Sequence, residues 1–361
     1  MDVTHIVALA KLGGCEINCL RVISALPELR HRVFVLGKEG PMSDRWRETG
    51  VAVQHLDVLR LGPVAFERRL RALASAGRFQ GTVLYWSNSR LFWVWRALSR
   101  AVPALTVHLG NPYGAGVLGR LRDSIYERLT PSRNGLRLVA CSQAVAESFR
   151  NAPYFRGAPL EVVPNPVENT EPKAAHRALS VGADVRLGMV ARLDPIKDHA
   201  TAICAMPAIL QKFPRATLEL AGDGVLKNEL AALAAQQGVA HAVRFLGPVK
   251  NIYNLIRSWD VFVYSTTRAE GMGIAVAEAL MAGLPVVASD LPVMREVCGE
   301  AAVYFSAGDP SALANTVCDL VADEAHRSAL GASAAKHARV CFAPETIARR
   351  YLAVAEKGQS T

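Results

Sequence analysis

The residues whose types and spacing most invite chemistry lie in the run EGMGIAVAEALMAGLPVVASD, from Glu270 to Asp290, which sets Glu270 and Glu278 around a glycine-punctuated turn. Gly271 and Gly273 flank Met272 and allow a tight turn with close backbone approach, and Ile274 to Ala282 reads as a helix closed by Gly283. The strand-like DVFVYS precedes this turn, and LPVVAS follows the helix. Strand, glycine turn, helix and strand form a parallel-sheet unit whose helix start offers free N–H groups and a partial positive charge to a phosphate. The two glutamates flank that place, and neither is needed for the fold. Arg192 and Lys197, in ARLDPIKD after an earlier strand, would grip a diphosphate from two sides against the helix start at Gly273. Alone, the pair reads equally well as two solvated loop charges. Beside Glu270 and Glu278 the ligand reading prevails.

The first half of the chain offers two further candidates. Gly13 and Gly14 follow the strand Thr4 to Leu9, at the carboxyl end where open parallel sheets bind ligands. His108 closes the strand ALTVH and meets the loop LGNPYGAG at the same end of the sheet. A lone histidine is more often structural, and the strand-end position beside a glycine-rich loop is what points to a ligand here.

Composition bounds what these residues serve. The chain has 361 residues, 51% hydrophobic and 20% charged, which suits a globular protein of about two domains. MDVTHIVALAKLGG has neither a basic start nor a small-residue cleavage site, so no secretion leader is expected. The most apolar window, Gly271 to Ser289, is broken by Glu278, Gly283 and Pro285, so no membrane span is expected. Seven cysteines without a CxxC pair suggest reduced core thiols and a cytoplasmic protein. Residues 1–168 hold 22 Lys and Arg against 13 Asp and Glu, and residues 169–361 hold 19 of each, so the whole net charge of +9 lies in the first half. The basic amphipathic segments there, Phe66 to Phe79 and Val117 to Leu129, suit an anionic membrane surface or an anionic substrate. Each segment alone is more simply a core face with arginines outside it.

The elements that must position the candidates form two β-α series. In the first half, strands are expected at Thr4–Leu9, Arg32–Leu36, Val51–Asp57, Thr82–Trp86, Leu105–His108 and Leu136–Cys141, with a helix from about Asn18 to Glu28. Pro164 to about Ser180 is polar and proline-bearing, an interdomain linker, which divides the chain into residues 1–168 and 169–343. The second half repeats strands at Val185–Val190, Thr217–Ala221, Val243–Leu246 and Asp260–Ser265, separated by helices. The order implies an α/β protein with doubly wound parallel sheets. GxGxxG is absent, which argues against a nicotinamide-dependent dehydrogenase. No recognition motif supports nucleic-acid binding by the basic half.

With these residues in view, the chain resembles the retaining glycosyltransferases of the GT-B fold, glycosyltransferase family four. The likeness rests on LGGCE, CSQAVAESF, VVPNPV, ARLDPIKD, AGDG, FLG and EGMGIAVAEALMAGLPVVAS in order, and it covers most of the chain. It implies two Rossmann-like domains facing a central cleft, with a terminal helix at about 344–361 packed back on the first. It also implies a nucleotide-sugar donor held mainly by the second domain. On this likeness Arg192 and Lys197 bind the donor diphosphate, and Glu278 accepts from the ribose hydroxyls. Glu270, with Met272, Gly273 and Ile274, orients the transferred sugar, and His108 contacts that sugar from the facing domain. Gly13 and Gly14 sit against phosphate or acceptor, and loop contacts around Pro248 help to choose the donor. Met272 replaces a more usual phenylalanine, and PNP at 164–166 replaces the commoner PNG.

The resemblance implies transfer of a sugar, from a UDP-sugar first and GDP-mannose next, to a glycan or lipid-linked acceptor of a surface polymer. A soluble small acceptor and a catalytically silent sugar-nucleotide-binding protein are the alternatives. No cofactor is expected: the nucleotide-sugar is a substrate, and without a DxD motif no metal is required, so positive charge must come from the protein. The expected location is the cytoplasm, with peripheral contact of the basic domain at the inner face of the membrane.

Overall fold

The computed structural model describes residues 1–87, 92–114, 135–150, 152, 157–172, 179 and 182–358. The basic segment Val117 to Leu129 lies outside them, as do residues 173–178 and 180 of the expected linker. The chain divides into two compact units, Met1–Pro166 together with Pro344–Thr361, and Val167–Ala343.

Unit 1 alternates strands and helices: β1 Asp2–Val7, α1 Gly14–Ala25, β2 Arg30–Val35, α2 Pro41–Arg47, β3 Ala52–His55, α3 Pro63–Ser75 and β4 Thr82–Ser87, then α4 Phe92–Ala101, β5 Leu105–Leu109, β6 Leu136–Ala140, α5 Gln143–Arg150 and β7 Leu160–Val162. The seven strands pair in the order β3-β2-β1-β4-β5-β6-β7, all parallel. Strand order therefore reverses between β1 and β4. Val3, Val7, Val33 and Val35 bury one core with Cys19, Val22 and Ile23 of α1, and the terminal helix Pro344–Glu356 adds Ile347, Tyr351 and Leu352 to it. Each such side chain contributes roughly 1.5–3 kcal/mol by leaving water. In α3, Phe66, Leu70 and Leu73 are buried while Arg68, Arg69 and Arg71 are exposed, so its apolar stripe is a core face with the cations outside.

Helix α1 starts at Gly14 rather than near Asn18, because Gly13 stays extended and its carbonyl accepts from Ile17 N at 3.0 Å to close the first turn. The glycine pair is thus a helix start and not a free loop.

Unit 2 repeats the plan with β8 Arg186–Val190, a 3-10 turn Pro195–Lys197, α6 His199–Lys212, β9 Thr217–Ala221, α7 Lys227–Gln236, β10 Val243–Gly247 and α8 Ile252–Ser258. It continues through β11 Val261–Tyr264, α9 Ile274–Met281, β12 Val286–Ser289, α10 Pro292–Cys298, β13 Val303–Phe305, α11 Pro310–Ala322 and α12 Glu324–Phe342. The order is β10-β9-β8-β11-β12-β13, again parallel, with the reversal between β8 and β11. The central strands VFVY and VVAS are buried along their whole length, as a sheet covered on both faces requires. The elements from α10 to α12 have no counterpart in the sequence reading. In α12 the buried positions are largely small, Gly331, Ala334, Ala335 and Ala338, so no strong apolar stripe announces it. Among the described residues, no helix is long and apolar enough to cross a membrane.

Candidate functional site

Open parallel sheets bind ligands outside the carboxyl ends of the strands where strand order reverses. In unit 2 that place lies between the loop after β8, which carries Arg192 and Lys197, and the loop after β11, which carries Glu270 and Gly273. The two loops are stapled together by their backbones. Thr267 N donates to Ile196 O at 2.9 Å, and the Thr266 hydroxyl donates to the same carbonyl at 3.0 Å. Asp198, in the left-handed region at φ 32°, takes the Thr201 hydroxyl at 2.8 Å and the Ser265 hydroxyl at 2.9 Å. From the other side, Leu193 N donates to Asp223 O at 3.0 Å. Glycine at 222 and 224 is required there, since a Cβ would fall 2.0 Å from Ala191 O and 2.3 Å from Leu193 O. The loop that holds the two cations is therefore fixed on both flanks.

Within this frame Lys197, Glu270 and Tyr264 close a triangle. Lys197 Nζ donates to Glu270 Oε2 and, at 3.1 Å, to the Tyr264 hydroxyl, which itself donates to Glu270 Oε2 at 2.8 Å. Gly271 N donates to Oε1 at 3.0 Å, while the Thr266 hydroxyl oxygen, whose one hydrogen goes to Ile196 O, lies 3.2 Å from Oε2. Burial alone would push the Glu270 carboxyl up, but the Lys197 ammonium and these donors outweigh it and hold its pKa below the ordinary value. An ammonium has three N–H groups, and two of those on Lys197 are used. The third has no protein acceptor among the described residues.

Arg192 behaves differently. Its side chain is 76% exposed and pairs with Asp194 at 2.9 Å, while Asp194 also caps the 3-10 turn by accepting from Ile196 N at 3.1 Å. One cation of the expected diphosphate clamp is thus preset and the other is solvated. Helix α9 begins at Gly273, whose φ of 75° is a left-handed conformation suited to glycine, and its first turn carries no acidic residue. Met272 is buried, Ile274 is half-buried, and Glu278 lies one turn farther along the same side of α9, also buried. The structure therefore gathers Arg192, Lys197, Glu270, Met272, Gly273, Ile274 and Glu278 at adjacent strand ends. Pro248 is exposed after the edge strand β10, separated from β8 by β9. Tyr264 and Thr266 were missed from sequence; the signal was a tyrosine at the end of the apolar strand VFVY followed by three hydroxyl residues, STT.

In unit 1, His108 is buried against Trp86 and Tyr351, with ring centroids 5.3 and 6.0 Å away. The Tyr351 hydroxyl donates to Val163 O at 3.3 Å, so it accepts from His108 Nδ1–H at 2.9 Å. That assignment leaves Nε2 as a lone-pair acceptor, and it has no hydrogen-bond partner among the described residues. Burial pushes the His108 pKa down to about 3, so the ring is neutral. Gly110 lies over it, where a Cβ would stand 3.2 Å from Nε2. The structure thus places His108 inside the packing of unit 1 rather than on its surface. Gly13 caps α1 in an extended conformation, and the Glu16 carboxylate folds over it, 2.6 Å from where a Gly13 Cβ would be. Burial pushes the Glu16 carboxyl up, partly offset by its own backbone N–H and Lys11.

Comparison with known proteins agrees with this architecture. Residues 13–166 match the glycosyl transferase 4-like domain, and residues 184–323 match the family described as glycosyl transferases group 1. Over 243 residues the chain is 31% identical to EpsF of Bacillus subtilis (strain 168), a protein named for glycosyl transfer, covering 63% of this chain and 62% of EpsF. It is 32% identical over 172 residues to phosphatidyl-myo-inositol mannosyltransferase of Mycobacterium leprae (strain TN), covering 46% of this chain and 45% of that enzyme. The matches thus span less than two thirds of either relative. Among solved structures, Anabaena HepE in complex with UDP and glucose superposes with a TM-score of 0.79 at 20% identity, covering 100% of both chains, which shows the GT-B fold. With both units matched in order and the fold shared, this chain belongs to the group 1 glycosyl transferases with a glycosyl transferase 4-like first domain.

Proposed function

We propose that the protein is a retaining glycosyltransferase that moves a sugar from a nucleotide-sugar to a hydroxyl of a glycan or lipid-linked acceptor, in the biosynthesis of surface polysaccharide or another glycoconjugate. The observation that carries this reading is Lys197. It is anchored at the strand-order reversal of unit 2 with one N–H to spare, beside a helix start with no acid of its own. As the sugar–phosphate bond lengthens, negative charge grows on the diphosphate. Lys197, Arg192 and the N–H groups at Gly273 and Ile274 favour that state over the ground state. Removing one such fixed donor costs roughly 2.7–4 kcal/mol of barrier.

Glu270 keeps Lys197 in place and orients the transferred sugar, while Glu278 takes the ribose hydroxyls. The departing phosphate takes the proton of the acceptor hydroxyl on the face it leaves, which gives retention without a protein nucleophile. The positive charge is supplied by the protein, and no metal ion is invoked. UDP-sugars are the first choice of donor, supported by the UDP and glucose in the HepE complex. GDP-mannose is second, supported by the mannosyltransferase named among the relatives. The acceptor is assigned to unit 1, which carries the excess of positive charge and the neutral His108. Because Glu16 already lies over Gly13, an acceptor hydroxyl suits that helix start better than a phosphate. The basic unit would bring the protein to the cytoplasmic face of an anionic membrane.

A thermal-shift screen against UDP, GDP, ADP and their sugars tests the reading, and stabilisation by one nucleotide family is expected. No shift with any of them overturns it. Release of nucleotide from the bound sugar, unaffected by EDTA, separates an enzyme from a silent binder.

A further inference from the structure

A lysine held by a single carboxylate can swing about that contact on its four-carbon stem. Lys197 is held by two acceptors on different residues, and for a tetrahedral ammonium two fixed N–H directions determine the third. The second acceptor is Tyr264, the last residue of β11, whose ring is 1% exposed. That ring is itself fixed. It stacks on Phe262 with centroids 6.1 Å apart and planes 13° apart, and its edge approaches Gly273, where a Cβ would lie 3.3 Å from Cε1. Gly271 N donates to Glu270 Oε1 and not to Lys197, which is itself a donor. Among the described residues Tyr264 therefore joins the cation, the carboxylate and the start of α9.

We propose that Tyr264 is a positioning residue of this site: its phenol oxygen, accepting from Lys197 Nζ and donating to Glu270 Oε2, sets the direction in which the remaining Lys197 N–H meets a donor phosphate. This inference deepens the donor-site reading above and rests on it. Tyr264→Phe is the sharpest variant, because phenylalanine keeps the buried ring and its place 5.7 Å from the Lys197 ammonium while removing only the oxygen.

The full chain and Tyr264→Phe are compared by calorimetry with UDP, GDP and inorganic diphosphate, and by carbon-13 NMR titration of the Glu270 carboxyl without ligand. About tenfold weaker binding of the ligand that the wild type takes is expected, the effect of one charged hydrogen bond. The carboxyl titration should move to higher pH, since a donor to the carboxylate is gone. The charged and titratable groups around the triangle, Lys197, Arg192 and Asp194, are unchanged in the variant.

Unchanged affinity overturns the inference, and so does weaker binding with an unmoved carboxyl titration, which a merely structural loss would give. A wild type that binds none of the three ligands overturns the inference, and if ADP gives no shift either the functional reading falls with it. Should Tyr264→Phe not fold, 3-fluorotyrosine placed at position 264 keeps the hydroxyl and makes it a stronger donor. The carboxyl titration must then move to lower pH, and no movement overturns the inference.

Discussion

The starts of α1 and α9 occupy comparable places, each at the order reversal of a parallel sheet and each introduced by glycine, yet they are built for different occupants. At α1, Gly13 is extended at φ −156° and the helix supplies its own anion, because Glu16 of the first turn folds back over the glycine. At α9, Gly273 is left-handed and the first turn has no acid. The nearby carboxylate, Glu270, is occupied by Lys197, Tyr264 and Gly271 N. A glycine before a helix is therefore not by itself an anion cradle. The positive end must also be left uncovered, and in unit 2 the carboxylate that would cover it is engaged by a cation.

The largest expected test of this contrast is Lys197→Ala, which should lower turnover roughly 10²–10³-fold as measured by nucleotide release. Glu16→Ala should leave turnover within a few-fold, and equal losses would break the contrast. Next, Gly273→Ala forces a side chain into a left-handed conformation 3.1 Å from Met294 Cε and should cost about 1–2 kcal/mol in urea unfolding. Gly13→Ala meets only the movable end of Glu16 and should stay within about 0.5 kcal/mol.

Two pH experiments sharpen the comparison further, with opposite signs. The folded-state pKa of Glu270 is depressed, so its contribution is present above the unfolded value of about 4.3 and is lost as pH falls through the folded value. The stability difference between wild type and Glu270→Gln should be flat near neutrality and shrink in acid. Glu16 is raised instead, so its contribution is present below about 4.3 and is lost as pH rises through the folded value. Glu16→Gln should therefore gain on the wild type as pH rises toward neutrality, the smallest of these effects.

Much of this was legible locally. The buried strands DVFVYS and LPVVAS, the turn at Gly271–Gly273 and the helix after it follow from apolar runs and glycine conformation, and Arg192 and Lys197 fall in a loop because DPIK starts a capped 3-10 turn. Other elements were not. Helix α12 hides in a run of alanines, and α1 starts four residues early because an extended glycine can cap a helix without a side chain. His108 was legible as the end of a strand beside a glycine-rich loop, but not its bond to Tyr351, 243 residues away in sequence.

By itself the sequence determined which backbone turns stand at strand ends and which charges they carry, because periodicity and glycine act over a few residues. Only the tertiary structure decided which charges are spent. Lys197 finds Glu270 across 73 residues, Tyr264 completes the pair from the neighbouring strand end, and Arg192 is left in solvent. Such pairing depends on which strands are neighbours in the sheet, a relation between distant segments that no local spacing records.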